Sequence, residues 1–248
     1  MPIIKEFSIQ LYSIREQTEK DFAGSLKKLG EFGYNGVEFA GYGGIAAADM
    51  RKLLDGNGLT PVGSHITLEK LEKSLDAELE YNSVLGTEYI IVPYSAVKSK
   101  DDVLRVADTI NAIGEKCLAA GFKFGYHNHD HEFAVDKDSG KYLLDILFDN
   151  LNKGFCMELD VFWAAAAGID YLGYMKRNKD RLKLLHVKQI ENMESRRCVD
   201  LSQGIIDIKE AALLGNECGV AKYILEQEEF AGDPFDSLRS NYDYIMSL

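Results

Sequence analysis

The chain has 248 residues, 46% of them hydrophobic and 27% charged, an ordinary globular composition long enough for one α/β barrel or two small domains. A formal net charge of -12 repels phosphate backbones and anionic lipid head groups, so neither nucleic acid nor a membrane is expected as a partner. Four cysteines without CxxC spacing, no stretch long enough to span a bilayer, and an opening Met1–Gln10 without the apolar core of a signal peptide lead us to expect a cytoplasmic protein.

Strand-like and helix-like segments alternate along the chain. Phe7 to Tyr12 reads as a strand, and Phe22 to Phe32 as a helix with Phe22, Leu26, Leu29 and Phe32 at helical spacing. Asn35 to Phe39 is the second strand and Ala46 to Asn57 the second helix. Leu59 to Ser64 is followed by a helix over Thr67 to Leu85, with Leu68, Leu71, Leu75 and Leu79 on one face. Tyr89 to Val92 is a short buried strand before a helix over Asp101 to Ala120. Lys123 to His127, Phe155 to Leu159, Leu182 to Val187 and Lys222 to Leu225 complete the strands. The helices after these are Lys141 to Leu151, Ile169 to Asn178, Asp207 to Glu217 and Asp236 to Ile245. Gly33, Gly58, Gly86, Gly121 and Gly219 each follow a helix pattern, where a left-handed C' residue is wanted.

This rhythm predicts a single-domain (β/α)8 TIM barrel over residues 1–248, with right-handed crossovers. An open doubly wound sheet is the alternative, but no GxGxxG follows the first strand. Gly41-Tyr-Gly-Gly44 lacks the Lys-Ser/Thr of a phosphate loop.

Four strands of the second half end on metal-ligand residue types: the run His127-Asn-His-Asp-His-Glu132, then Asp160, His186 and Glu226. A barrel builds its site from such strand ends, and three carboxylates with one imidazole suit a divalent Mn, Co, Mg or Zn ion. Alternation keeps the three histidines of the run from all facing one site. Glu158 and Asp160 share a strand face, and Asp160, as the last residue, is the better ligand. Lys188, on the same side as His186, would add positive charge to a site that generates an oxyanion. Trp163 is a candidate platform for a sugar ring, and Glu38 and His65 end earlier strands where substrate contacts are expected.

Gln10-Leu-Tyr-Ser-Ile-Arg15, Gly36-Val-Glu38, Tyr126-His-Asn-His129 with Glu132-Phe133, Glu158-Leu-Asp160, Leu185-His-Val-Lys188 and Leu225-Glu-Gln227 together resemble the sugar phosphate isomerase/epimerase superfamily of xylose-isomerase-like TIM barrels. The resemblance runs from the first strand to the last helix. It implies one divalent ion, most often Mn, held by Glu132, Asp160, His186 and Glu226, with His127 or His129 as alternatives for the first position. It also implies a sugar or polyol substrate and proton abstraction next to a carbonyl, through an enediolate. Glu132 and Glu226 are then base and acid candidates, with His129 a further one, and His127, Trp163, Lys188, Glu38 and His65 are substrate contacts. Where many relatives carry Asp after His-Val-Lys, this chain has Gln189. Isomerase or epimerase is the leading expectation. The alternative is a lyase of the same fold, of the inosose dehydratase or 3-keto-glycoside-cleaving kind, and a non-catalytic sugar-binding protein is the remaining one. Dimers and tetramers are common in this superfamily.

Overall fold

The computed structural model describes residues 2–248. Eight strands, all parallel to their neighbours, close into a barrel: β1 (Phe7–Gln10), β2 (Gly36–Phe39), β3 (Thr60–His65), β4 (Tyr89–Val92), β5 (Lys123–His127), β6 (Cys156–Asp160), β7 (Leu182–Val187) and, after a two-stranded antiparallel ribbon of β8 (Gln189–Ile190) and β9 (Cys198–Val199), β10 (Lys222–Leu225). Neighbours run in sequence order around the ring, and β10 pairs with both β1 and β7. Helices between the strands bury their apolar faces on the outside of the barrel, because a sheet with apolar residues on both faces must be covered on both. The five joint glycines all have positive φ, from 66° at Gly58 to 103° at Gly33.

The differences from expectation are local. The first strand stops at Gln10, because Leu11–Ile14 turns as a 3-10 helix that leads into a short helix over Arg15–Lys20. A helix over Val161–Ala166 starts directly after β6, capped by Asp160. It is too short to show a period. The ribbon was not expected either, since two-residue strands carry no alternation.

The barrel interior explains where the chemistry lies. Its lower part is filled by Val62, Tyr89, Ile91, Cys156, Leu184 and Ile224. Side chains two apart on a strand share a face. The residues two on from Cys156, Leu184 and Ile224 are Glu158, His186 and Glu226, and a further step of two gives Asp160, Lys188 and Glu228. The interior thus passes from an apolar floor to two ionisable layers toward the C-terminal mouth. Register shifts fall immediately before both Glu38 and Glu158, where such irregularities re-aim side chains.

Gly125 sits one inward step below His127. A Cβ there would stand 2.5 Å from Cys156 Sγ and 2.7 Å from its carbonyl oxygen, which belongs to a paired strand and has little room to move. Gly125→Ala is expected to destabilise the fold by about 1–3 kcal/mol, the usual range for overpacking a filled interior. Urea unfolding with an unchanged m-value is the measurement, and a midpoint equal to wild type refutes the reading.

Candidate functional site

The site is built from residues at or just past the C-terminal ends of β5, β6, β7 and β10. His127, Asp160, His186 and Glu226 each direct one donor atom into a single group, all within 4.8 Å of one another and all buried. Pairing explains the convergence: Asp160 lies opposite His186 in the β6–β7 register, and β10 brings Glu226 beside β7. Asp160 Oδ1 accepts from the backbone N–H groups of Phe162 (2.7 Å) and Trp163 (3.2 Å), while the Asp160 N–H donates to Asn128 Oδ1 at 3.0 Å. That leaves Asp160 Oδ2 buried with no partner among the described residues. A buried anionic oxygen without a donor is costly and calls for a cation. Two imidazoles and two carboxylates suit a borderline divalent ion such as Zn, Mn or Co. The residues therefore fit the metal that the motifs imply.

The electrostatics agree with that fit. Burial pushes the Asp160 carboxyl up to about 7, with Lys188 opposing and Glu226 adding to the rise. Burial likewise works against ionised Glu226, but Lys188 and His186 hold it well below the usual carboxylate range. Burial, with His186 nearby, lowers His127 to about 4, so this ring is neutral at physiological pH. His186 resists burial because Glu158, Glu226 and Glu38 surround it, and it is held well above the ordinary imidazole value. Its Nδ1 lies 2.8 Å from Glu226 Oε2. In the metal-free chain a proton there supplies the positive charge that a metal ion would bring.

Beneath this group lies a second layer. Glu158 Oε1 lies 2.6 Å from His65 Nε2, 3.0 Å from His127 Nδ1 and 3.0 Å from His186 Nε2. Glu38 Oε2 accepts from Gln10 Nε2 at 2.9 Å and lies 2.8 Å from His186 Nε2 and 3.2 Å from His65 Nε2. Burial raises Glu38, whereas His186, His65 and His127 overcome burial at Glu158 and keep it well below the usual range. Gly63 leaves room for this layer, since a Cβ there would meet Glu38 Oε1 at 2.5 Å.

The structure thus brings Asp160, His186 and Glu226 together as the motifs led us to expect, but the fourth donor is His127. Glu132, expected in the first position, is not in the group. It lies beyond the strand end in a 3-10 turn, His131–Phe133, where its Oε1 accepts from the Tyr126 hydroxyl at 2.7 Å and its Oε2 from the His129 N–H at 2.8 Å. Glu38 and His65, expected at the mouth, belong to the lower layer instead. His131 turns away to the Ser95 carbonyl, with Nε2 2.8 Å from that oxygen.

Other expected residues line the mouth. The His129 ring lies 5.1 Å from His127, 5.2 Å from Trp163 and 5.3 Å from Tyr94, centroid to centroid. Burial holds it neutral, pushed down to about 2. Lys188 is fully buried, paired with Glu228, and its ammonium stands 4.9 Å from the ring centroids of both Phe162 and Trp163. His129 Nδ1 and Trp163 Nε1 are both buried without a hydrogen-bond partner among the described residues. Glu158 is the functional candidate that sequence reasoning passed over. Its two-residue spacing from Asp160 marks it as inward-facing, but only pairing across strands shows what it touches.

Comparison with known proteins follows the same line. No curated protein matches the chain. The sequence model of a family described as "Xylose isomerase-like TIM barrel" matches residues 26–225. A sugar phosphate isomerase/epimerase from Parabacteroides distasonis ATCC 8503 is similar in structure, with a TM-score of 0.85, 25% identity and 97% of each chain covered. The 3-keto-D-glucoside 4-epimerase YcjR from E. coli has a TM-score of 0.72 at 14% identity, covering 98% of this chain and 99% of that one. An IolI protein with a bound zinc atom has a TM-score of 0.72 at 13% identity over 98% of both chains. At those two identities the likeness is one of fold. The chain belongs to the xylose isomerase-like TIM-barrel family, the superfamily of the sugar phosphate isomerases and epimerases.

Proposed function

We propose that this protein is a divalent-metal-dependent enzyme that isomerises or epimerises a sugar or polyol by removing a proton next to a carbonyl. The observation that carries the reading is the buried group of His127, Asp160, His186 and Glu226, with Asp160 Oδ2 unpartnered. An ion held there would act as a Lewis acid on a carbonyl and render the neighbouring C–H more acidic. Glu226, ionised and at the rim of the group, is the base candidate. The buried Lys188 ammonium supplies a fixed positive charge beside it, where negative charge develops as the proton leaves. Trp163 offers a ring face for the apolar side of a sugar, and the free His129 Nδ1 and Trp163 Nε1 offer polar contacts for its hydroxyls. The likeness to a sugar phosphate isomerase/epimerase, and to a keto-glucoside epimerase in fold, supports the substrate class.

A lyase is the second reading, and one observation favours it. Epimerisation is served by two carboxylates facing each other across the substrate, but at the β5 end the group is completed by an imidazole, and both Glu132 oxygens are engaged by Tyr126 and the His129 backbone. One carboxylate base with imidazoles opposite suits β-elimination. Incubation of keto sugars and keto polyols in D2O separates the readings. Deuterium at the α-carbon with an inverted or isomerised product supports the first, loss of water or of an alcohol supports the second, and tight binding with neither leaves a sugar-binding protein.

Metal affinity is expected to depend on pH. Asp160 must give up its proton to bind a cation, and in the metal-free chain that proton leaves at about 7. Affinity therefore falls as pH drops through 7 on account of Asp160, by about tenfold per pH unit for each proton displaced, and it rises further at higher pH because the proton held on His186 must also leave. Calorimetric titration with Mn2+ between pH 5.5 and 8.5 reads this, and a flat profile overturns the assignment of Asp160.

A further inference from the structure

We infer that Glu158 is a positioning residue: its carboxylate below the proposed ion fixes His127 in one tautomer and, together with Glu38, faces His186 from below so that the two ligand histidines take opposite tautomers. The inference rests on the metal reading above. Glu158 is fully buried, and its Oε1 meets His127 at Nδ1 and His186 at Nε2. An ionised carboxylate only accepts, so His127 Nδ1 donates to Glu158, whereas the His186 Nε2 hydrogen bond goes to Glu38 Oε2 at 2.8 Å, with Glu158 Oε1 3.0 Å away. A neutral imidazole carries one N–H. His127 with its hydrogen on Nδ1 then keeps its lone pair on Nε2, and His186 with its hydrogen on Nε2 keeps its lone pair on Nδ1, the atom already directed at Glu226.

His65 and Glu38 complete the device. His65 Nε2 bridges Glu158 Oε1 and Glu38 Oε2, and Glu38 Oε2, tethered by Gln10, takes a second contact from His186 Nε2. Carboxylates behind ligand histidines commonly fix ring orientation and raise ligand basicity. Here Glu158, on β6, does so for His127 on β5 and shares the task with Glu38 for His186 on β7.

A competing arrangement uses the same atoms. His65, His127, Glu158 and His186 also cluster within 4.8 Å and could themselves hold an ion. Filling both groups together would require both nitrogens of His127 and His186 as lone-pair donors, hence two imidazolates. With neutral rings only one group can be filled. Each group holds a buried carboxylate oxygen without a partner among the described residues, Asp160 Oδ2 above and Glu158 Oε2 below, but the upper group has two carboxylates to the lower group's one.

The test uses the full chain with Glu158→Gln, Glu158→Asp and Asp160→Asn, each checked for wild-type circular dichroism. Zn2+ and Mn2+ affinities are measured by titration, and 15N NMR of histidine-labelled protein reads the tautomers, free and with Zn2+. Wild type is expected to show His127 as the Nδ1–H form with and without Zn2+, and His186 as the Nε2–H form with Zn2+. Glu158→Gln is expected to lose this uniformity at His127, while His186 keeps its Glu38 acceptor, and to bind about 10- to 100-fold more weakly at unchanged stoichiometry. Glu158→Asp, which keeps the charge, is expected to recover part of both. If Glu158→Gln keeps the His127 tautomer and binds within twofold of wild type, the inference fails while the metal reading stands. If Asp160→Asn still binds stoichiometrically and Glu158→Gln does not, the ion sits in the lower group and both fail. If wild type binds neither metal, the metal reading falls, and the role in positioning ligands falls with it.

Discussion

Asp160→Asn is expected to fold like wild type yet lose its divalent ion. Asparagine keeps an oxygen that can accept from the Phe162 and Trp163 N–H groups, so the cap on the Val161–Ala166 helix survives, Asn and Asp being nearly equal in that role. What disappears is the charge behind Oδ2. Losing a partner behind a ligand costs about 10- to 100-fold in metal affinity, so losing a charged donor itself should cost more than about 100-fold. Thermal unfolding provides a readout free of any substrate. At an Mn2+ or Zn2+ concentration 100 times the wild-type dissociation constant, wild type gains about 2.7 kcal/mol of stability, and the variant is expected to gain less than about 0.6 kcal/mol if its affinity is 100-fold weaker. Without metal the variant should be at least as stable as wild type, because a buried oxygen with no partner has been exchanged for a neutral group. Equal metal-induced stabilisation in both proteins would refute the site as drawn.

Glu226→Gln is expected to remove proton transfer. The glutamate is buried and ionised, 2.8 Å from His186 Nδ1 and held below the usual carboxylate range by Lys188 and His186 against the effect of burial. Glutamine keeps its volume and one acceptor oxygen but cannot take a proton. A positioned general base is worth about 10²- to 10⁴-fold in rate, equivalent to about 2.7–5.5 kcal/mol of barrier. Entry of solvent deuterium at the α-carbon of a keto sugar, followed with metal in excess and metal content measured, should fall by that factor. Exchange within threefold of wild type in a metal-loaded variant would assign the base elsewhere, with His129 and Glu132 the first to test.

Much of this was legible in the sequence, for identifiable reasons. The eight strands and their glycine joints follow from short apolar runs and from left-handed helix ends, both local properties. Asp160, His186 and Glu226 were legible because each ends an apolar strand, and a parallel barrel sends every strand end to one mouth. The fourth member of the group was not. The run His127-Asn-His-Asp-His-Glu132 offers several donors, and the choice among them depends on where β5 stops and on the 3-10 turn that follows. That turn hands Glu132 to Tyr126 and the His129 backbone, and leaves His127 to point inward above Gly125.

The sequence by itself determined the barrel and three of the four donors that converge at its C-terminal end, because these rest on periodicity within single elements. Only the tertiary structure decided which side chain completes the group, that Glu38, His65 and Glu158 form a layer beneath it, and that Asp160 keeps one oxygen free. Those facts depend on register between strands far apart in the chain, such as Asp160 opposite His186, and on shifts of that register before Glu38 and Glu158. No local pattern records such pairings, because they are set when the ring closes and neighbouring strands must share both hydrogen bonds and interior space.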